Sequence, residues 1–372
     1  MKIYYIDNLR LPTEKAHSVQ IMKMCEALAS SGNEITLLLP KKKTPITDDP
    51  FEYYDIKKNF ELKKIWSVNF IYFEKILGSF GYWLENLIFT KLALFWIFLE
   101  GKPDVIYTRQ PLIAFGFRIF YKEVYFEAHT FKSNWLYKFL LRRVAGIVVI
   151  TNKLKELYQQ ILPKQNYLVA PDGVDLKKFD LPLDQRQIRE KVGLPTDKKI
   201  VLYLGSLIKW KGADILAEAA TKADPQIQFY FVGGSQGDVD TYKNNYPQAN
   251  IHFVGHKAYQ EVHFWLKSAN ILVIPNSGKF KISKYYTSPM KLFEYLAVRV
   301  PIISADLPSL REILDENCAL FFEPDNSADL LNKINIALTD EELGQKLVLS
   351  GYQKAVRYSW ENRADHLINF IK

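Results

Sequence analysis

The sequence predicts an α/β protein built from two doubly wound halves, and three observations lead there. Short runs rich in Val, Ile, Phe and Tyr recur between longer amphipathic stretches, the pattern of strands alternating with helices over a parallel sheet. At 372 residues the chain is long enough for two cores rather than one. Pro182, Pro195 and the polar run DQRQIREK break the alternation between 179 and 196, where one half gives way to the next.

The first half holds candidate strands at 2–7, 34–39, 104–108, 124–128 and 147–150, each a short β-branched or aromatic run. The second holds them at 200–204, 228–232, 251–254, 271–274 and 301–304. Between them lie apolar residues spaced three and four apart, such as Val19, Met22, Met24, Ala27 and Leu28, which mark helices. The expected division is a first domain at 1–180, a second at 196–355 and a closing helix at 356–372 that returns to the first. Open parallel sheets bind ligands at the carboxyl ends of their strands, so two such domains facing a central cleft would carry the chemistry on those loops.

Composition excludes several classes. Hydrophobic residues at 48% and charged residues at 24% are those of a folded chain. Cys25 and Cys318 stand far apart, which gives no disulfide framework and fits a reducing compartment. The start, MKIYYIDNLRLP, reaches Asp7 and Arg10 too soon for a signal peptide and reads as a strand. No Asp-x-Asp ends a strand and no His/Cys cluster has ligand spacing, so neither a metal nor another cofactor is expected. A dinucleotide-dependent oxidoreductase is disfavoured because no Gly-x-Gly-x-x-Gly follows a strand.

Charge is uneven. Residues 1–180 carry 26 Lys and Arg against 19 Asp and Glu, and the remainder carries 23 against 22. An excess confined to one half suggests an anionic partner, which could be a membrane surface, a phosphorylated acceptor or nucleic acid, or it is ordinary solvated lysines; nucleic acid is not expected, since the excess is modest and no recognised binding module is present.

The segment 287–304, TSPMKLFEYLAVRVPIIS, has the character of an anion-binding helix start. Ser288 suits the N-cap, Pro289 suits the first helical position, and the free amides of such a terminus favour a diphosphate. Lys291 and Glu294, three apart, would share one helix face with Met290 nearby. This segment resembles the donor-binding segment of family 4 glycosyltransferases, which are retaining enzymes of the two-domain, Rossmann-like GT-B fold. Further motifs follow the family's order: LGSLIKWKGAD at 204–214, FYFVGG at 229–234, FVGH at 253–256, LVIPN at 272–276, VYFEAHT at 124–130 and VAPDGVDLKKF at 169–179.

The resemblance implies a sugar transferred from a nucleoside diphosphate sugar, UDP ahead of GDP, to a glycan or lipid-linked acceptor of the cell surface. It places His129 beside the donor sugar, Lys211 on the departing phosphates and Glu294 on the ribose. Gly205, Ser206, Lys209, Ser288, Pro289, Met290 and Lys291 join the donor site, and His256 and Lys257 lie near the base by position. His17 and Arg109 fall on the acceptor side. Ser206 stands where the family often has Arg, Tyr286 where it has a first Glu, Asp172 where it has Asn, and RLPTEKAH at 10–17 replaces the Gly-rich first loop. An epimerase or phosphorylase on the same fold, or a non-catalytic nucleotide-sugar-binding protein, shares these motifs; transfer to an acceptor distinguishes them.

Residues 76–99 are rich in aromatics, among them Phe80, Tyr82, Trp83, Phe89, Phe95, Trp96 and Phe98. Lys41, Lys42, Lys43, Lys57, Lys58, Lys63, Lys64 and Lys75 precede them. Such a pairing suits peripheral attachment to the anionic inner face of the plasma membrane by a cytoplasmic protein. It equally suits helices packed under the first sheet with solvated lysines outside. Glu85 and Lys91 disfavour a spanning helix.

Overall fold

A computed structural model describes residues 1–68 and 74–372, with side chains described for 1–68 and 80–372. The chain divides into two compact units, Met1–Pro171 with Trp360–Lys372, and Asp172–Ser359.

The first unit is built on seven parallel strands: β1 (Lys2–Ile6), β2 (Glu34–Pro40), β3 (Glu61–Ile65), β4 (Val105–Thr108), β5 (Val124–Ala128), β6 (Gly146–Val149) and β7 (Tyr167–Val169). They run in the order β3-β2-β1-β4-β5-β6-β7. The second unit has six: β8 (Lys199–Leu204), β9 (Ile227–Val232), β10 (Ile251–Gly255), β11 (Ile271–Ile274), β12 (Ile302–Ala305) and β13 (Leu320–Phe322), ordered β10-β9-β8-β11-β12-β13. Both sheets reverse their winding at the first strand, between β1 and β4 and between β8 and β11. Loops leaving a parallel sheet at such a point diverge and leave a crevice.

Three strands escape the sequence pattern. β3 reads ELKKI and carries two lysines, which suits a sheet edge but hides the apolar run that marks a buried strand. β7 and β13 are three residues each, too short to show a period.

The expected boundary at 180 is also displaced. The first unit ends at Pro171, because Val174 N–H donates to Tyr358 O at 2.9 Å and Val174 and Phe179 sink into the second core. At the other end, helix Trp360–Ile371 lies in the first unit. It buries Ala364, Leu367, Ile368 and Ile371 and sets Phe370 edge-on to Tyr125 at 5.8 Å.

Helix Glu74–Glu100 packs one stripe inward and leaves another exposed. Phe89, Ala93 and Ile97, four apart, are fully buried, while Phe80, Tyr82, Trp83, Phe95 and Phe98 face outward. Trp96, expected among the membrane-facing aromatics, instead packs on Tyr4 at 5.8 Å, and Phe89 is in the core. Glu85 is buried and ion-paired to Lys42. Lys64 donates to Leu11 O at 2.9 Å, so the lysine run is not uniformly a solvated surface. The side chains of Lys75 and of 76–79 lie outside the described residues.

Candidate functional site

In the first unit, the loops after β1, β4 and β5 enclose a pocket of about 1240 Å³. His17, Arg109 and His129, separated widely in sequence, all line it. His129 stands just past β5, and its Nε2 lies 2.5 Å from Glu127 Oε1. Glu127 is fully buried and bound on every side: Gln20 Nε2 donates to it at 2.9 Å, Arg363 Nη2 at 3.0 Å, and the Tyr107 hydroxyl donates to its second oxygen.

Burial pushes the Glu127 carboxyl up, but Arg363, His129 and Arg109 outweigh it and hold the group well below the ordinary carboxylate range. An ionised carboxylate only accepts, so the His129 Nε2 carries the proton and donates it to Glu127. Arg109 Nη1 donates to Gln20 Oε1 at 3.0 Å, which ties the β4 end to the same network. His17 is lowered to about 4 by burial, then by Arg109, Lys15 and His129, and is neutral at physiological pH.

In the second unit, the ends of β8, β9 and β10 meet through glycines. Gly205 has φ of +146°, and a Cβ on Gly233 would lie 2.3 Å from Gly205 O. Gly205 N–H donates to Val232 O and Gly233 N–H to Gly255 O, so the three loops are stitched by backbone alone. Close by, the Lys291 ammonium sits 4.3 Å above the Tyr203 ring and 3.8 Å from where a Gly205 Cβ would be. Lys291 is 8% exposed, and its ammonium has no hydrogen-bond partner among the described residues. Burial and then Lys211 push its pKa well below the lysine range, with Glu294 opposing. Lys211 is itself lowered by burial. Two buried amines, each resisting its charged form and one of them disfavoured further by the other, make a site that gains by binding an anion.

Glu294, 5% exposed, is raised to about 7 by burial, with Lys178, a hydrogen bond from Tyr259 and Lys291 pulling the other way. Lys178 in turn lies 4.3 Å over the Tyr259 ring. Buried this way, Lys291 and Glu294 are not the solvated surface pair that helical spacing also allows.

Residues 184–354 match the family described as Glycosyl transferases group 1. This segment is a group 1 glycosyltransferase domain. The group 1 match covers β8 to β13 and all the residues just described in the second unit except Lys178.

Curated relatives include a D-inositol 3-phosphate glycosyltransferase of Xylanimonas cellulosilytica, 23% identical over 219 residues, 54% of this chain and 50% of that protein. An alpha-D-kanosaminyltransferase of Streptomyces kanamyceticus is 20% identical over 252 residues, covering 64% and 63%. The chain spans about half the length of the first curated relatives it matches. Among solved structures, sucrose-phosphate synthase from Thermosynechococcus elongatus aligns with a TM-score of 0.80 at 17% identity, over 99% of this chain and 98% of that one. HepE from Anabaena, in complex with UDP and glucose, aligns at 0.75 and 14%, over 99% and 98%. These neighbours show that the fold is GT-B.

Within the group 1 domain, Gly205 and Ser206 fall just past β8, Lys211 on the 3-10 turn that follows, and Lys291 and Glu294 on helix Met290–Ala297, which follows β11. Lys209 is exposed on the short 3-10 turn Lys209–Lys211, leaving Lys291 as the buried cation beside Gly205. His256 is exposed after β10, and the Lys257 ammonium lies 5.3 Å over the Trp265 ring. Met290 is buried.

The expected N-cap role of Ser288 is overturned: helix Met290–Ala297 begins one residue later than expected, with Pro289 at the N-cap and no side-chain cap. The Ser288 hydroxyl instead accepts from Asp172 N–H at 3.4 Å. Tyr286 lies on the π-helical turn Ile282–Tyr286, 6.3 Å from Tyr285.

Sequence reasoning missed Glu127, Gln20, Arg363 and Tyr259. Only Glu127 carried a local signal, a carboxylate inside the otherwise apolar strand VYFEA.

Proposed function

We propose that the chain is a retaining glycosyltransferase of family 4 that takes a hexose from a nucleoside diphosphate sugar. The observation that carries this reading is the buried Lys291 ammonium beside the Gly205 turn, without a hydrogen-bond partner among the described residues. A leaving diphosphate would neutralise Lys291 and Lys211 together, and both cations act more strongly on the charge that develops as the sugar departs. The Glu294 carboxylate would accept from ribose hydroxyls. UDP is preferred over GDP, supported by the UDP held by the Anabaena neighbour.

The first-unit pocket receives the acceptor, a glycan or lipid-linked sugar of the cell surface. There His129 contacts the donor sugar, and Arg109 and His17 contact the acceptor. No metal or other cofactor is invoked. The protein works in the cytoplasm, attached peripherally to the membrane by the outward face of helix Glu74–Glu100. The segment Phe80–Glu100 is the one among the described residues long and apolar enough to cross a membrane, by length and composition only.

A thermal-shift series with UDP and GDP sugars tests the donor assignment, since ligand at 100 times its Kd stabilises by about 2.7 kcal/mol. A flat response to every nucleotide sugar would overturn it. Flotation with acidic and neutral vesicles, repeated at high salt, tests attachment; indifference to acidic lipid at low salt would remove it.

A further inference from the structure

The first-unit pocket is electrostatically lopsided. Each carboxylate in its wall is already engaged: Glu127 by Arg363 and His129, Glu85 by Lys42, and Asp7 by a 3.0 Å hydrogen bond from Gln110. The cations are not balanced in this way. Arg10, Lys15, Lys43 and Lys132 line the pocket, and among the described residues none of the four forms an ion pair. Lys132 only leans over the Tyr137 ring at 5.1 Å.

Two further features of the same wall point to a ligand. Asn8 lines the pocket at 5% exposure, and among the described residues neither atom of its side-chain amide has a hydrogen-bond partner. A native protein rarely leaves both halves of a buried amide unsatisfied unless something else binds there. Helix Ala16–Ser30, fifteen residues long, also starts in this wall with Lys15 at its N-cap, no side-chain cap and no acidic residue in its first turn. Its terminal amides add to the positive field.

The loop that carries Arg10 and Lys15 is held in place. Thr13 N–H donates to the Tyr54 hydroxyl, which donates back to Thr13 O, both at 2.7 Å. The Thr44 hydroxyl donates to Pro12 O at 2.7 Å and Lys64 to Leu11 O at 2.9 Å. Four hydrogen bonds from distant elements fix this loop, so the cations are presented by an ordered segment.

We infer that this pocket recognises a phosphate group on the acceptor, with Arg10, Lys15, Lys43 and Lys132 supplying the charge and Asn8 a neutral hydrogen-bonding contact. The inference rests on reading the first unit as the acceptor side. The shared chemistry is a sugar or polyol bearing a phosphate, and it has two sources, a soluble sugar phosphate or a polyprenyl phosphate-linked sugar.

Calorimetry on the full chain tests it with glucose 6-phosphate, glucose, and phosphatidylcholine vesicles with and without a polyprenyl phosphate-linked sugar. Each titration is run with and without saturating UDP, on the wild type, the Arg10→Gln/Lys43→Gln variant and Asn8→Ala. Arg10 is half-buried and Lys43 exposed, so the double variant is expected to fold, and UDP affinity serves as its control.

The expected result is that one phosphorylated probe binds with UDP present, glucose does not, and the double variant weakens the phosphorylated probe by about tenfold or more at unchanged UDP affinity. Binding of glucose 6-phosphate assigns the soluble source, and binding only of the loaded vesicles assigns the lipid source. Displacement of the phosphorylated probe by UDP, equal binding of glucose, indifference to the substitutions, or no binding of either phosphorylated probe would overturn the inference. Failure of UDP itself to bind, with the phosphorylated probe still bound, would instead overturn the donor reading and leave the phosphate site standing.

Discussion

Arg363 Nη2 donates to Glu127 Oε1 at 3.0 Å although the two residues lie 236 positions apart. The arginine comes from the closing helix and the carboxylate from mid-strand in β5, and both are buried. Arg363 Nε also donates to Pro171 O at 2.9 Å and Nη2 to Ala170 O at 3.2 Å, so one guanidinium ties the helix, the end of the first unit's chain and the His129 support together.

Replacing Arg363 with Met should therefore destabilise the protein by about 3–5 kcal/mol, the usual cost of stranding one member of a buried pair. Urea denaturation measures it, with Arg363→Lys expected to recover part of the loss. A change within experimental error would show that Glu127 is held adequately by Gln20 and Tyr107.

Glu127→Gln keeps the side-chain shape but weakens its hold on the His129 Nε2 proton. The expected outcome is a lower kcat at unchanged UDP affinity. His129→Ala should likewise impair transfer and spare binding of the free nucleoside diphosphate. Full activity in either variant would reduce the pair to a structural role.

Glu294→Ala should weaken nucleotide-sugar binding by about tenfold or more, from loss of a charge-assisted hydrogen bond worth roughly 1.5–3 kcal/mol. Because burial raises this carboxyl to about 7, the accepting form is depleted as pH falls through neutrality, and affinity should fall with it. Glu294→Gln should flatten this acid limb. A wild-type affinity that is constant across neutral pH would contradict the role.

Lys291→Met should raise the stability of the ligand-free protein while weakening nucleotide binding, since it removes a buried ammonium that has no hydrogen-bond partner among the described residues. The two buried groups act oppositely on the pH dependence of stability. Lys291 has a lowered folded pKa, so the unfolded chain binds the extra proton and stability rises with pH from that lowered value up to about 10.5. Glu294 has a raised folded pKa, so the native state binds the extra proton and stability falls as pH rises from 4.5 to about 7. Comparing denaturation curves of wild type and Lys291→Met across pH isolates the first effect.

Gly212→Ala should cost more than the roughly 1 kcal/mol of an ordinary glycine substitution, because its Cβ would lie 1.9 Å from Pro275 O at a φ of +69°. Lys211 sits one residue earlier, so the variant should also lose nucleotide affinity. Retention of both properties would mean that the turn relaxes freely.

Ten of the thirteen strands were legible because each is a run of β-branched and aromatic residues with a period the chain itself displays. The charged edge β3 and the three-residue β7 and β13 were not, since a short or polar strand is defined by the neighbour it pairs with. Of the candidate site, His17, Arg109 and His129 were named one at a time, from the family resemblance together with the strand ends and loop on which they stand. Their meeting in one pocket could not, because it depends on the strand order β2-β1-β4-β5.

By itself, then, the sequence determined the alternation of strands and helices, the two-part division and the motifs of the group 1 segment, all of which are local or nearly so. Tertiary structure alone decided that Arg363 supports Glu127, and that among the described residues Lys291 is buried without a hydrogen-bond partner and the carboxylates of the first-unit pocket are engaged while Arg10, Lys15 and Lys43 form no ion pair. Those are properties of burial and of contacts across large sequence separations. Desolvation and Coulomb energy depend on distance in space, and no spacing along the chain reports that distance.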